Sequence, residues 1–249
     1  ITCFPNHPTG IIPSKYHHLN YLEENEKGVT VVRCKTYATP NKGFIKKTMG
    51  HILFMFMSVI QAHKHIKHKD IIIASSPTFF TVISAYVLSK IYKVPYVFEV
   101  RDLWPSIFKD LGIIKNEWVL LILEKMELFL YRKALFVVTV TNTFSDQIES
   151  RGIPREKLAT ITNGVNMNYW KPTDKNKELI HSLNLQGKFV VLYIGAHGIS
   201  QGLSSIVDAA KLLESNHEIH FLFVGEGADK KAVEDKAKSL TLKNITFLP

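Results

Sequence analysis

Four short loops hold the residues of this chain whose types and spacing could do chemistry. Each follows an apolar or β-branched run. Glu99-Val100-Arg101-Asp102 closes the run at 94–100 and leads into Leu103-Trp104-Pro105. Thr162-Asn163-Gly164-Val165-Asn166 follows the run at 157–161. Gly195-Ala196-His197-Gly198-Ile199-Ser200-Gln201-Gly202 follows Val190-Val191-Leu192-Tyr193-Ile194, and Gly225-Glu226-Gly227 follows the run at 219–224. Two carboxylates and a guanidinium within four residues suit a polar substrate. Glu99 and Arg101 are two apart, so on a strand they share a side. Gly195, Gly198 and Gly202 lie between a strand and a helix start. There, backbone N–H groups can approach an anion and a helix N-terminus adds partial positive charge.

Each loop also has a plainer reading. Arg101 with Asp102 reads as a local ion pair, and Glu99 as a buried carboxylate paired with Arg101. Asn163-Gly164 alone is a turn signal, Gly225-Glu226-Gly227 a strand-to-helix turn, and His197 an exposed turn histidine. Their shared placement sets them apart: all four sit at C-terminal ends of predicted strands, where open α/β sheets bind ligands. No two carboxylates have the look of a glycosidase acid and nucleophile, and no His/Cys cluster has metal-ligand spacing.

The elements that must position these loops alternate along the chain. Strands are expected at 1–4, 29–37, 71–74, 94–100, 134–140, 157–161, 189–194, 219–224 and 245–248. Ile71-Ile72-Ile73-Ala74 is continuously apolar, the pattern of a parallel strand covered on both faces, and 134–140 and 190–194 read as buried strands too. Helices are expected at 44–66, at 77–92 with Pro77 near the first turn, and at 116–133. Others follow the cap at Thr141-Asn142-Thr143, run to Glu214 after the glycine turn, and cover 228–240. This alternation predicts an α/β protein of parallel βαβ units. A polar break divides two such series, giving an N-terminal domain over 1–170 and a C-terminal domain over 171–249. The simplest architecture is two Rossmann-like doubly wound domains facing each other across a cleft.

The chain has 249 residues, 46% hydrophobic, with 31 Lys+Arg against 22 Asp+Glu and a formal net charge of +9. That balance favours anionic partners such as nucleotides, lipid surfaces or nucleic acid. The basic residues are not interleaved with stacking aromatics in any one stretch, which argues against nucleic acid. Cys3 and Cys34 have no metal-like spacing, and two lone thiols suit a reducing compartment with no disulfide. No apolar run reaches the roughly 18 residues of a membrane span. Lys42, Lys46, Lys47, Lys64, Lys67 and Lys69 bracket Ile52-Leu53-Phe54-Met55-Phe56-Met57. Such a helix reads either as core with solvated ends or as a contact with an anionic membrane through Lys46 and Lys47.

In order and spacing these loops resemble the retaining GT-B glycosyltransferases of family 4, the bacterial capsule, O-antigen and colanic-acid type of sugar transferase. Asp70–Pro77 (DIIIASSP) and Pro95–Pro105 (PYVFEVRDLWP) begin the resemblance. Asn163-Gly164-Val165-Asn166 is similar to the family's Asn-Gly-Val-Asp, and Tyr193–Leu203 and Phe223–Gly227 (FVGEG) extend the match over nearly the whole chain. The resemblance implies a UDP- or GDP-sugar donor held mainly by the second domain, at Gly195, His197, Gly198, Gln201, Gly202, Gly225, Gly227 and Asn163. It places the donor sugar near Glu99, Arg101 and Asp102, where many relatives carry a His at the position of Arg101. It further implies a lipid-linked or oligosaccharide acceptor in surface polysaccharide (capsule or lipopolysaccharide) synthesis, no metal or other cofactor, and a cytoplasmic protein, peripheral on the inner face of the plasma membrane. Family chains begin with a strand and glycine-rich loop and continue to a Glu-x7-Glu motif. This sequence shows neither, so both domains are expected to be incomplete.

Two departures stand at the turn after 190–194. Relatives often carry cations where this chain has Ala196 and Gln201. Each such cation would add a charge-assisted contact of about 1.5–3 kcal/mol, whereas a helix terminus returns about 0.3–1 kcal/mol. A GT-B nucleotide-sugar epimerase and a basic nucleic-acid-binding protein are the competing readings.

Overall fold

The computed structural model describes residues 1–6, 10–38, 44–66, 68–76 and 79–249. His7, Pro8, Thr9, Lys42, Lys67 and Pro77 lie outside these residues, as does the side chain of Lys47. The chain forms two compact units, Ile1–Gly164 and Val165–Pro249.

In the first unit, β1 (Thr2–Cys3) pairs in parallel with β3 (Val29–Cys34), which pairs antiparallel with β2 (Tyr21–Glu26). The hairpin is a departure from the all-parallel expectation. Lys27 and Gly28 both have positive φ, 53° and 86°, as a tight two-residue hairpin turn requires. The acidic sequence of β2 masks its strand character. Its carboxylates are held across the hairpin, where Arg33 bonds Glu24 and Glu26, and at its side, where His65 bonds Glu23. Cys3 and Cys34 are partners in register and remain free thiols. Burial pushes both thiols up, Cys34 to about 11, so neither is a ready nucleophile.

A second sheet of this unit runs β4 (Ile72–Ser75), β5 (Tyr96–Val100), β6 (Phe136–Thr139), β7 (Leu158–Thr160), all parallel and in that spatial order. The connecting helices are α2 (Phe79–Tyr92), the short α3 (Ser106–Asp110), α4 (Glu117–Lys133) and α5 (Asn142–Ser150), with α1 (Phe44–His65) leading into β4. A parallel sheet extended steadily in one direction by right-handed crossovers receives its helices on one face. That face holds the core: Phe98, Val100, Val137, Val82, Leu130 and Ile148 are all buried. The other face is open in part, and Ile73 is 68% exposed. The expectation of a β4 covered on both faces therefore fails. Between Ile1 and β4 lies a groove of about 450 Å3 walled by α1 and α2.

Helix α1 is amphipathic in an unexpected sense. Ser58, Gln61 and Ala62 are buried, with Ser58 bonded to Ser84 of α2 at 3.0 Å. Met49, Leu53, Phe56 and Ile60, spaced as one helix stripe, face outward and are 37–58% exposed.

In the second unit, α6 (Lys177–Ser182) precedes a parallel sheet of β8 (Phe189–Ile194), β9 (Ile219–Val224) and β10 (Ile245–Leu248). α7 (Ser204–Leu212) and α8 (Lys230–Ser239) pack Leu203, Val207 and Val233 against Phe221 and Phe223. The same crossover rule applies, so Leu192 and Ile194 of β8 stay 55% and 70% exposed, contrary to the reading of a buried strand.

An ion pair ties two helices of the first unit. Glu127 of α4 is 1% exposed, lies 2.7 Å from Arg151 at the end of α5, and accepts a bond from Tyr131 at 2.7 Å. Burial pushes the Glu127 carboxyl above its ordinary 4.5, with Arg151 and Tyr131 pulling it down. Replacing Arg151 by Met leaves the carboxylate buried with Tyr131 alone, and should cost about 3–5 kcal/mol at neutral pH. A group whose folded value is raised favours the fold most when protonated, and loses that contribution as pH rises through the folded value. The gap between wild type and Arg151→Met in urea unfolding should therefore narrow as pH falls from neutral through the raised folded value, above the carboxyl's ordinary 4.5. A gap constant from neutral pH into acid would show that Arg151 acts by packing alone.

Candidate functional site

The residues singled out by sequence gather at two places, each at the C-terminal edge of a parallel sheet. In the first unit the centre is Ser76, a residue to which the sequence reading gave no role. It follows β4 and is 3% exposed. Its backbone N–H donates to the Glu99 carbonyl at 2.9 Å, and its hydroxyl accepts from the Arg101 N–H at 3.0 Å. The Asp102 N–H is 3.5 Å from the same oxygen. Ser76 thus shapes the loop that presents Arg101 and Asp102. The neighbouring Ser75 hydroxyl donates to the Glu99 carboxylate. Among the described residues Arg101 pairs with neither Asp102 nor Glu99, so the local ion-pair readings fail. Arg101 is exposed and Asp102 half-buried. Trp104, joined to Pro105 by a cis peptide, packs edge-on against Phe108 at 4.1 Å and supports the loop from beneath.

Asn163 is exposed at the end of the first unit, and Gly164 has open space around it. Asn166, one residue beyond the unit boundary, turns its own loop by accepting from the Asn168 N–H.

The second unit brings its two glycine loops into contact. The Gly195 N–H donates to the Val224 carbonyl at 3.0 Å, and the His197 N–H to the Glu226 carbonyl at 2.9 Å. The His197 carbonyl accepts from the Asp229 N–H at 2.9 Å. The backbones are so close that a Cβ on Gly225 would lie 2.0 Å from the Gly195 oxygen, and one on Gly227 2.2 Å from the His197 oxygen. Gly225 also has φ 138°. These glycines are required by close approach and not by a ligand alone.

Beyond the contact, the turn does not pass directly into a helix as the sequence suggested. A 3-10 turn, Ile199–Gln201, intervenes and ends on Gly202 in the left-handed region, φ 60°. Only then does α7 begin, at Ser204. The N–H groups of Ala196, Gly198, Ile199 and Ser200 have no hydrogen-bond partner among the described residues. Successive unpaired N–H groups in a tight turn form a concavity suited to an anion. Gln201 is exposed and its Oε1 accepts from Ser200. His197 is not an exposed turn residue: it is fully buried, its ring 5.7 Å from that of Tyr193 and 6.1 Å from that of Phe223.

Cations that sequence reading missed stand close by in the fold and are already engaged. Lys230 bonds Glu226 and the Leu248 carbonyl. Lys236 of α8 bonds Ser204 and pairs with Asp208 of α7. Both lie in an ordinary basic helix, so no sequence signal marks them. Among the described residues no group of three or more His, Cys, Asp or Glu is placed to hold a metal ion.

Residues 17–169 match the family described as Glycosyltransferase Family 4, and residues 174–249 match Glycosyl transferases group 1. The domain limit expected at 170/171 falls between the two matches, six residues beyond the limit between the compact units. The chain is 25% identical over 256 residues to WcaI of Escherichia coli (strain K12), named as a colanic acid biosynthesis glycosyl transferase. That alignment covers 100% of this chain and 62% of the relative. Sucrose-phosphate synthase of Thermosynechococcus elongatus superposes with a TM-score of 0.68 at 15% identity, over 93% of this chain and 57% of that one. HepE of Anabaena, solved with UDP-glucose, superposes with a TM-score of 0.61 at 20% identity, over 79% and 51%. This chain thus spans less than two thirds of the length of the relatives it matches. The structural likeness establishes the GT-B α/β fold, with both Rossmann-like sheets present.

Gly225→Ala should lower unfolding stability by about 2–4 kcal/mol, from backbone collision and strain together. Denaturant unfolding of the full chain measures it. A loss under 0.5 kcal/mol would mean that the two turns are not held in contact.

Proposed function

The chain belongs to glycosyltransferase family 4, and from that membership we propose that it serves to transfer a sugar, with retention, from a UDP- or GDP-sugar to a lipid-linked glycan acceptor in surface polysaccharide synthesis. The observation that carries this reading is the turn at 195–202, with four N–H donors unpaired among the described residues at the C-terminal edge of its sheet. Donors to a charged acceptor contribute about 1.5–3 kcal/mol each. Together they match in order of magnitude what cations at Ala196 and Gln201 would supply. The name of the E. coli relative supports the polysaccharide setting, and the UDP-glucose complex of HepE supports the donor class.

Retaining transfer builds positive charge on the sugar and negative charge on the leaving diphosphate. In this reading the N–H groups of Ala196, Gly198 and Ile199 receive the diphosphate, preorganised by the contact with Gly225 and Gly227. Asn163 contributes on the donor side. Arg101 and Asp102, set by Ser76, and Glu99 contact the sugar and the acceptor. No metal is required, because backbone donors take the place of a divalent ion at the phosphates.

UDP at about ten times its Kd should add about 1.4 kcal/mol of stability. For a chain of this size that raises the unfolding midpoint by about 3–5 °C. Salt-sensitive binding to random DNA, with no response to UDP or GDP, would overturn the reading.

The acceptor's lipid calls for a protein working on the cytoplasmic face of the membrane. Among the described residues no helix is long and apolar enough to cross a bilayer. Peripheral contact through α1 fits the outward stripe of Met49, Leu53, Phe56 and Ile60, with Lys46 and Lys64 exposed about one turn beyond either end. The chain should sediment with phosphatidylglycerol vesicles and not with phosphatidylcholine alone. Lys46→Glu combined with Lys47→Glu should reduce the bound fraction severalfold. Absence of sedimentation by the wild type would assign the stripe another role.

A further inference from the structure

His197 presents a problem that the binding turn alone does not solve. It is one of the most buried side chains of the protein, at 0% exposure, yet neither Nδ1 nor Nε2 has a hydrogen-bond partner. An imidazole always carries at least one N–H, and in its neutral form also an acceptor. Burying both without partners is costly, and a phenylalanine of similar shape would avoid that cost. The surroundings would suit one, since the rings of Tyr193 and Phe223 flank the imidazole.

The backbone of this residue is also where the two turns are fastened, through Glu226 on one side and Asp229 on the other. Gly227 packs directly against its carbonyl. Its immediate neighbours in sequence, the exposed Ala196 and the half-buried Gly198, carry unpaired N–H groups. The buried ring and these donors therefore belong to one short segment. Turning a peptide group of the segment to aim an N–H outward aims its carbonyl inward. Gly195 and Gly198 supply the backbone freedom for such adjustment.

We propose that His197 is a positioning residue for nucleoside diphosphate binding: its ring gains hydrogen-bond partners in the ligand-bound arrangement of the 195–202 turn and lacks them in the free one. This deepens the glycosyltransferase reading and rests on it. Part of the affinity for the diphosphate then comes from a group the ligand does not touch. The unliganded turn is held in an unsatisfied state that binding relieves, so removing the ring nitrogens should help the free protein and hurt the complex.

Three forms of the full chain decide the matter: wild type, His197→Phe and His197→Gln. Unfolding midpoints are measured without ligand, and affinity for UDP is measured by isothermal titration. His197→Phe should fold with a midpoint equal to or above wild type while binding UDP at least about tenfold more weakly. His197→Gln keeps one donor and one acceptor and should recover a substantial part of that affinity. A merely structural histidine predicts otherwise. The Phe variant would then bind UDP like wild type, or the Phe and Gln variants would lose affinity equally, and either result overturns the proposal. Should His197→Phe fail to reach the wild-type midpoint, the free turn is not unsatisfied and the proposal is again overturned. A wild type with no response to UDP or GDP removes the glycosyltransferase reading, and this inference with it. Wild-type binding undiminished in His197→Phe removes only the inference.

Discussion

The contact between two backbones at the C-terminal edge of the second sheet governs what this unit can do. Gly195 meets Gly225, and His197 meets Gly227, at separations that exclude any side chain on the second member of each pair. Peptide groups that meet in this way bond to each other across the turns, through Val224, Glu226 and Asp229. The donors left over in the 195–202 turn, among the described residues, are those of Ala196, Gly198, Ile199 and Ser200. Their availability is a by-product of which peptide groups the interlock consumes. A concavity lined by unpaired N–H groups thus arises from packing between two turns.

The first unit reaches a comparable end by a different device. Its loop after β5 is shaped by a single buried hydroxyl, that of Ser76, which gathers backbone groups from the neighbouring strand's loop. A hydroxyl can accept and donate together, so one small side chain orders two adjacent strand ends. Arg101 is left exposed with its charge uncommitted to Glu99 or Asp102, while Glu99 is engaged by Ser75. An uncommitted guanidinium at a strand end suits contact with a polar or anionic ligand.

Chain direction explains the exposed apolar faces. Both parallel sheets grow in a single direction, so right-handed crossovers lay their helices on one side. Ile73, Leu192 and Ile194 point to the other side and remain exposed. Their sequence pattern is that of strands covered twice, and within residues 1–249 they are covered once.

Much of this was legible in the residues. Apolar runs, helical spacing and the Asn116 and Thr141 caps located most elements, because local backbone preference and side-chain periodicity are properties of short segments. The four loops at strand ends were likewise visible as glycine, amide and charged signals after strand patterns, and the order of those loops carried the family. What sequence alone could not decide was pairing at a distance. The acidic strand Tyr21–Glu26 exists because Arg33 and His65 hold its carboxylates. Ser76 acquires its role from a loop 25 residues later. His197 reads as an exposed turn histidine until the second glycine loop, thirty residues downstream, closes over it. Burial, close approach and the choice of which N–H groups stay free depend on where two remote segments meet, and only the tertiary structure sets that.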